Sequence, residues 1–275
     1  MSTPTLSLPP LALALAGLPR EPRAEPLRDH LDLAASIGYR FVTLDASLPG
    51  TRPRELDRSA RRDLAALLRR RELSCAGIDL WIPPDHFTAP AQQDRALAAV
   101  LAAIDFAADL ARLSDSAVVS TAPSSATGCL SLSLPPDAPP DLLAQADTRA
   151  QTCGVRIANH ATPLADPRPD HPSIGAGIDP AALLLASSDP AAVALSFATS
   201  RSHSPLALAR LSDASTVSRV HVGSRDGRLD LLAYALALVT IEYPFPVPVE
   251  LRGLTHPPAA ARDAFSAWHG ALPAL

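Results

Sequence analysis

The sequence of 275 residues contains no lysine, so all 24 of its basic side chains are arginine. Cysteine is also scarce: Cys75, Cys129 and Cys153 lie far apart, and no two of them form a C-x-x-C pair. This spacing indicates neither a disulfide framework nor a thiolate zinc site. Because unpaired cysteines suit a reducing compartment, we expect a cytoplasmic protein.

Aromatic residues make up only 4% of the chain, and no stretch interleaves them with basic residues. The formal net charge of −4 offers no positive surface for nucleic acid. No apolar run reaches the roughly 18 residues that span a bilayer. The N-terminal run LSLPPLALALAGLPR contains prolines and follows no positive charge, so it predicts a buried strand rather than a signal peptide. We therefore expect neither nucleic-acid nor membrane partners.

Several catalytic motifs are missing as well. The sequence contains no G-x-S-x-G elbow, no H-E-x-x-H helix and no Walker loop. Serine-type acyl transfer, zinc proteolysis and nucleotide hydrolysis therefore have no support. No linker or second composition regime divides the chain, and a length of 275 residues suffices for one hydrophobic core. We predict a single domain over residues 1–275.

Short apolar runs alternate with longer segments of helical periodicity, a pattern typical of repeated βα units. The predicted strands are residues 11–17, 40–45, 73–81, 129–134, 155–160, 174–179, 206–213 and 247–251. AVVS at 117–120 is an alternative fourth strand. The predicted helices are residues 25–38, 57–71, 92–112, 141–152, 180–186, a segment from about 189, 228–239 and 258–269. The proline-rich segment 161–173 is predicted to be a loop.

Eight parallel strands with interleaved helices predict a (β/α)₈ TIM barrel. The competing architecture is a doubly wound open sheet. That fold usually carries a glycine-rich turn after its first strand, and the sequence GLPREPRAEP has neither the small residues nor the spacing for such a turn. We therefore favour the barrel.

The active site of a TIM barrel gathers at the C-terminal ends of the strands, so polar residues that end apolar strands are the candidates. They are Asp45, Asp79, Trp81, His86, Asn159, His160, Asp179, Arg210, Asp213, Glu250 and Arg252. Glu250 interrupts a buried apolar run, where an unpaired carboxylate would cost several kcal/mol. We expect a cation to face it, and a purely structural ion pair is the alternative. Asp179 precedes Pro180 and could equally cap the next helix.

Two further candidates follow the third strand in the segment LWIPPDHF. Trp81 and His86 lie beside the predicted barrel mouth, where an aromatic ring can pack on the apolar face of a sugar. Core packing is an equal alternative for these residues. We predict Trp81, His86, His160 and Arg252 as substrate-binding residues.

The order of five motifs resembles the xylose isomerase-like sugar phosphate isomerase/epimerase barrels. These motifs are ANH at 158–160, GID at 177–179, LARLSDA at 208–214, GRLDLLAYALAL at 227–238 and VPVEL at 247–251. The resemblance implies a TIM barrel in which a Glu, an Asp, a His and a final Glu hold one divalent cation. In that family the metal polarises the sugar carbonyl and hydroxyl while acidic residues move the proton.

The resemblance carries over only in part. Asp179 matches the family's Asp, Glu250 matches the final Glu, and Asp213 matches the Asp that follows the family's His. Ala158 stands at the position of the first Glu, and Arg210 stands at the position of the His. Half of the ligand set is missing, so the resemblance implies a degenerate metal site.

Two arrangements could replace the missing ligands. His160 shares a strand face with the position of Ala158, so Asp179, Glu250 and His160 could still hold a divalent metal. Alternatively, the guanidinium of Arg210 takes the cation's place and bridges Asp179 and Glu250. We favour this second arrangement and expect no cofactor, because one substitution then accounts for both losses. Glu250, Asp179 and Arg210 are the predicted catalytic residues.

Three functions remain open. The first is an isomerase/epimerase that moves a proton in a small sugar or related carbonyl compound. The second is a non-catalytic barrel that has lost the metal site but still binds a small molecule. The third is an interaction module, for which the sequence shows neither an exposed apolar helix nor a charged tail. The predicted partner in the first two cases is a small sugar-like ligand.

Overall fold

Eight parallel strands surround a common interior in the computed structural model of the chain, which describes residues 7–20, 25–115, 128–164, 170–199 and 206–271. The barrel strands are β1 (Leu11–Ala14), β2 (Phe41–Asp45), β3 (Ser74–Asp79), β4 (Gly128–Leu132), β5 (Val155–Asn159), β6 (Ile174–Ile178), β7 (Leu206–Ala209) and β10 (Val247–Val249). They pair in the order β10-β1-β2-β3-β4-β5-β6-β7. A parallel bridge between Leu211 and Val249 joins the two ends of the sheet. The predicted (β/α)₈ barrel is confirmed.

Helices cover the outside of the barrel. They are α1 (Pro26–Ile37), α2 (Arg58–Arg69), α3 (Pro90–Asp115), α4 (Pro140–Cys153), α5 (Pro180–Leu185), α6 (Pro190–Thr199), α7 (Leu231–Thr240) and α8 (Pro257–His269). The described residues between β5 and β6 contain no helix, in agreement with the loop predicted there. None of the helices in the described ranges is long and apolar enough to cross a membrane.

Six of these helices begin with a proline at their first position. The first residues of a helix have no intrahelical partner for their N–H groups, so the N–H that proline lacks costs nothing there. Proline's fixed φ also favours the first helical turn. The 29 prolines of the chain are therefore compatible with a helix-rich fold.

The seventh predicted strand is shorter than the pattern indicated. β7 ends at Ala209, and a two-stranded antiparallel hairpin follows, made of β8 (Asp213–Ala214) and β9 (Arg219–Val220). Asp213 keeps the chain after this hairpin in place, because its Oδ1 accepts hydrogen bonds from the backbone N–H groups of Ala214, Arg228 and Leu229. Its carboxylate is thus used inside the loop.

The other boundaries differ by a few residues. The first strand ends at Ala14 rather than at residue 17. α7 begins at Leu231 rather than at 228, because the side chain of Asp230 caps it by accepting from the N–H of Ala233 at 2.9 Å. The preferred fourth strand is present as Gly128–Leu132. The alternative, AVVS at 117–120, lies outside the described residues.

Two buried aromatic side chains anchor the last helix to the barrel. The indole N–H of Trp268 donates to the carbonyl of Pro9 at 3.0 Å, just before β1. The hydroxyl of Tyr39 donates to the carbonyl of Ala261 at 2.8 Å. Because β1 is the neighbour of β10, these contacts fix α8 beside the junction of the first and last strands. Buried polar side chains lie at the C-terminal ends of most barrel strands, among them Asp45, Asp79, Asp179, Arg210 and Glu250.

Candidate functional site

A cluster of buried charged side chains lies at the C-terminal ends of the barrel strands. Asp79 ends β3, and Arg210 and Glu250 directly follow β7 and β10. Asp179 directly follows β6. All four are at least nine-tenths buried. We call these four residues, with Arg219 and Arg252, the charge cluster.

Arg210 lies at the centre of the charge cluster. One terminal nitrogen of its guanidinium donates to Asp79 Oδ1 and to Ser131 Oγ, both at 2.6 Å. The other terminal nitrogen is 2.9 Å from Glu250 Oε2 and 4.0 Å from Asp179 Oδ2. The backbone carbonyl of Arg210 accepts from the hydroxyl of Tyr234 at 3.0 Å.

The ion pairs of Arg210 in the structure differ in one respect from the predicted ones. We expected Arg210 to join Asp179 and Glu250, and the structure brings all three side chains together. The two closest carboxylates, however, are those of Glu250 and Asp79. Asp179 is farther from Arg210 because a second guanidinium, that of Arg219, contacts Asp179 Oδ2 at 2.5 Å.

Glu250 has two arginine partners. The backbone N–H of Arg252 donates to Glu250 Oε1 at 3.0 Å, and its Nε donates to the same oxygen at 2.8 Å. A terminal nitrogen of Arg252 also contacts Oε2. Burial raises the pKa of Glu250, but Arg210 and Arg252 outweigh burial and hold that pKa far below its usual range. Glu250 is therefore ionised at neutral pH.

Asp179 has two roles at once. Its Oδ1 accepts from the hydroxyl of Ser212 at 2.7 Å and from the N–H of Ala182, so it also caps α5 as the sequence allowed. Burial raises its pKa, and the nearby charges of Arg219 and Arg210 lower it below the usual carboxyl value. The capping and cluster interpretations of Asp179 are thus compatible.

His160 lies beside the charge cluster, directly after β5. Both of its ring nitrogens are buried without a hydrogen-bond partner among the described residues. Burial, and then the positive charge of Arg210, lower its pKa well below the ordinary histidine value, so the ring is neutral at pH 7. A Cβ placed on Gly177 would lie 2.6 Å from the ring, which explains why the neighbouring strand has glycine at this position.

The donor groups of this region are already engaged with arginines, which bears on whether a divalent cation could bind here. Each carboxylate of the charge cluster already contacts a guanidinium. Ala158 is fully buried, and its methyl group supplies no ligand atom. Within the described ranges, no group of three or more His, Cys, Asp or Glu side chains could hold a metal ion. The donors present therefore suit a guanidinium and do not fit a divalent ion.

Six predicted residues lie outside the charge cluster: His160 and Asp213, described above, and Asn159, Trp81, His86 and Asp45. The side-chain oxygen of Asn159 accepts from the backbone N–H of Leu134 at 2.9 Å. Trp81 is 68% exposed, so the core-packing alternative is wrong for this side chain. His86 lies half-buried in a short 3₁₀ helix, Pro84–Phe87, after β3. Asp45, at the end of β2, pairs with Arg20 at 2.5 Å.

Some members of the site were not predicted. Arg219, Ser131 and Ser212 each contact a cluster side chain. Ser131 has a usable signal, because it is a polar residue inside a predicted apolar strand. Arg219 has no such signal in the sequence, because it lies nine residues beyond Arg210. Its side chain reaches Asp179 because the β8–β9 hairpin brings it there.

No family model and no curated protein sequence matches the chain. Solved structures do match its fold. A xylose isomerase domain protein from Planctomyces limnophilus superposes with a TM-score of 0.64 at 16% identity, over 96% of each chain. A D-psicose 3-epimerase with D-tagatose from Clostridium cellulolyticum H10 gives 0.67 at 12% identity, over 96% of this chain and 100% of that chain. The IOLI protein with a binding zinc atom gives 0.64 at 14%, over 95% and 96%.

These similarities establish the fold of xylose isomerase-like TIM barrels for this chain. The identities are too low to carry an activity or a ligand from those proteins to this one. What the charge cluster can do must therefore be argued from its own side chains.

The contact between Gly177 and His160 gives a first prediction. Gly177→Ala should lower the free energy of unfolding by about 1–3 kcal/mol, because the added methyl group would displace the buried imidazole. In a His160→Ala background the same change should cost much less, since the clashing ring is gone. Urea unfolding of the four proteins measures both values. Equal costs in the two backgrounds would show that the ring does not require this glycine.

The pKa of Glu250 gives a second prediction. Glu250→Gln should lower the free energy of unfolding at neutral pH by about 3–5 kcal/mol, because it leaves two arginines without their carboxylate. Glu242→Gln, at an exposed position after α7, should change stability by less than about 0.5 kcal/mol.

The effect of Glu250→Gln should also depend on pH. The folded pKa of Glu250 is depressed, so its stabilisation is complete above the unfolded value of about 4.3 and is lost as the pH falls below it. The stability difference between wild type and variant should therefore shrink in acid. A difference that stays constant from neutral pH to about pH 3 would contradict the depressed pKa.

Proposed function

We propose that this barrel binds a small sugar-like ligand at the C-terminal end of its strands. We further propose that it acts in the sugar isomerase/epimerase class, in which a proton moves between adjacent carbons. The observation that carries the proposal is the buried guanidinium of Arg210 between Glu250 and Asp79. It lies at the strand ends, where TIM barrels hold their ligands.

Arg210 is proposed to supply the positive charge for which a divalent cation is used in the family that the sequence resembles. Its planar fork can contact two carboxylates at once, and it stays charged at every relevant pH. Asp79 Oδ2 is buried without a partner among the described residues, so the charge cluster contains a hydrogen-bond acceptor that a ligand could use. A ligand hydroxyl is a donor that matches it.

His160 is the proposed ligand-orienting residue. A neutral imidazole has one donor and one acceptor nitrogen, and neither is used by a described protein group. One of its nitrogens can therefore contact a hydroxyl or a carbonyl oxygen of the ligand. The two carboxylates of Asp179 and Glu250 are less suited to accept a proton, because their low pKa values make them weak bases at neutral pH.

Binding without turnover is the second candidate function. The first specific observation in its favour is Ala158, which replaces the acidic residue that the family places on β5. The second is the pairing of every cluster carboxylate with an arginine. With one acid missing and the others held as ion pairs, the barrel would recognise a sugar without exchanging its proton.

The cysteines are not proposed to take part in the chemistry. All three are free, and burial raises the pKa of the Cys75 thiol to about 12 and also raises that of Cys129. Thiols of this kind are poor nucleophiles. Free thiols are consistent with a reducing compartment, and we propose a cytoplasmic location.

One experiment separates the two functions. The protein is incubated in D₂O with ketohexoses and polyols, ligand binding is measured by the rise in melting temperature, and C–H exchange is followed by NMR. Binding of a ketohexose with exchange of a C–H next to its carbonyl would support the isomerase/epimerase function, and binding of a ketohexose without exchange would support the second candidate. Polyols, which have no acidic C–H, report binding alone. If no sugar or polyol raises the melting temperature, the proposed ligand class is wrong.

Two arginine variants, one inside the charge cluster and one outside it as a control, are compared in this assay. Arg210→Lys keeps the charge but loses the planar fork, so we expect sugar affinity to fall by about tenfold or more, the value of one charge-assisted hydrogen bond. Arg225→Lys changes an exposed arginine outside the cluster and should bind as the wild type does. Equal affinities of the two variants would remove Arg210 from the binding site.

A further inference from the structure

A cavity lies next to the charge cluster. It has a volume of about 320 Å³ and lies between β9, the segment after β10 and the first turns of α8. Its polar walls include Arg219, His221, Ser224, Thr255, His256 and Asp263. None of these residues except Arg219 belongs to the cluster, so the proposed function leaves this cavity unassigned.

Arg219 connects the cavity to the charge cluster. A terminal nitrogen of its guanidinium contacts Asp179, while the side chain forms part of the cavity wall. Gly253 borders the same wall with a φ of 81°, a left-handed conformation that favours glycine. It directly follows Arg252, the partner of Glu250. The cavity is thus adjacent to both ends of the cluster.

The chemistry of the walls suits a neutral, hydroxyl-rich group. The guanidinium of Arg219 and the carboxylate of Asp263 provide one positive and one negative charge. Nδ1 of His221 already lies 3.2 Å from the carbonyl of Val222 and 3.6 Å from Asp263. The other imidazole nitrogens and the hydroxyl groups of the wall can between them donate and accept. Leu254 and Val220 add apolar surface. A mixture of donors, acceptors and apolar surface matches a sugar or polyol, whose hydroxyls do both and whose C–H groups are apolar.

An anionic group fits this cavity less well, although a helix begins there. The first two residues of α8, Pro257 and Pro258, have no N–H to donate. The next two N–H groups, of Ala259 and Ala260, already donate to the carbonyl of His256 at 3.1 and 3.0 Å. The start of α8 therefore lacks the free donors that bind phosphate at other helix N-termini.

We infer that this cavity is a distal subsite that takes a second hydroxyl-rich unit of the ligand, so that the preferred ligand is a glycosylated or chain-extended sugar rather than a free monosaccharide. The inference rests on the proposed function and adds a substrate class to it. At roughly 30 Å³ per displaced water, the cavity holds the volume of about ten waters, which leaves room for one further sugar unit.

The test is a substitution on α8 whose larger side chain fills the cavity. Ala259 is an exposed residue of α8 that borders the cavity, and Ala259→Trp would occupy it without changing the cluster. Ser266 is exposed on the same helix but does not border the cavity, so Ser266→Trp is the matched control. The probes are D-fructose and lactulose, which is fructose with a second sugar attached. Calorimetry measures both affinities for the three proteins.

We expect the wild type and the Ser266→Trp variant to bind lactulose at least tenfold more tightly than fructose. Ala259→Trp should remove that advantage and leave fructose binding unchanged. Circular dichroism checks that the variant is folded, and Thr255→Tyr, which fills the cavity from an exposed position on its other wall, replaces Ala259→Trp if it is not.

The two possible failures can be told apart. If fructose binds and lactulose gains nothing, or if filling the cavity leaves the lactulose advantage intact, the distal subsite is wrong while the proposed function stands. If neither sugar binds to the wild type, the proposed function is wrong, and the distal subsite, which rests on it, is wrong as well.

Discussion

The buried guanidinium of Arg210 is the interaction on which the C-terminal end of the barrel depends. It joins side chains at the ends of three strands, because Asp79, Ser131 and Glu250 follow or belong to β3, β4 and β10 while Arg210 itself follows β7. Removing one charged side chain from a buried network leaves its partners as unpaired buried charges. The stability lost in this way is much larger than the net stabilisation that the intact ion pair provides. The network therefore constrains which residues the neighbouring strands can carry.

The same network determines what chemistry is open to the site. Three arginines and three carboxylates balance one another, and the arginines hold the pKa values of Asp179 and Glu250 low. The groups with unused hydrogen-bonding capacity are instead His160 and Asp79 Oδ2. Groups of this kind can form hydrogen bonds with hydroxyl or carbonyl groups, whereas carboxylates with low pKa values accept protons poorly. That balance is why binding without turnover is a serious alternative to isomerase chemistry.

Much of this arrangement could be predicted from the sequence. The alternation of strand and helix patterns predicted eight strands, and the polar residues that end apolar strands included Asp79, Asp179, Arg210 and Glu250. Which carboxylates Arg210 approaches could not be predicted, because that depends on the shear of the closed barrel and not on any one strand. Arg219 could not be found either, since a hairpin outside the barrel brings it to Asp179. Trp81 follows β3 as expected, yet its exposure depends on the loop and not on the strand pattern.

The central claim is that a guanidinium takes the place of a divalent cation in this barrel. Calorimetric titration with Zn²⁺ of the wild type and of an Ala158→Glu, Arg210→His double variant tests it most directly. The account predicts no stoichiometric binding to the wild type and new binding to the double variant, which would combine two added ligands with Asp179 and Glu250. Stoichiometric binding to the wild type that His160→Ala abolishes would contradict the account and would establish His160 as a metal ligand.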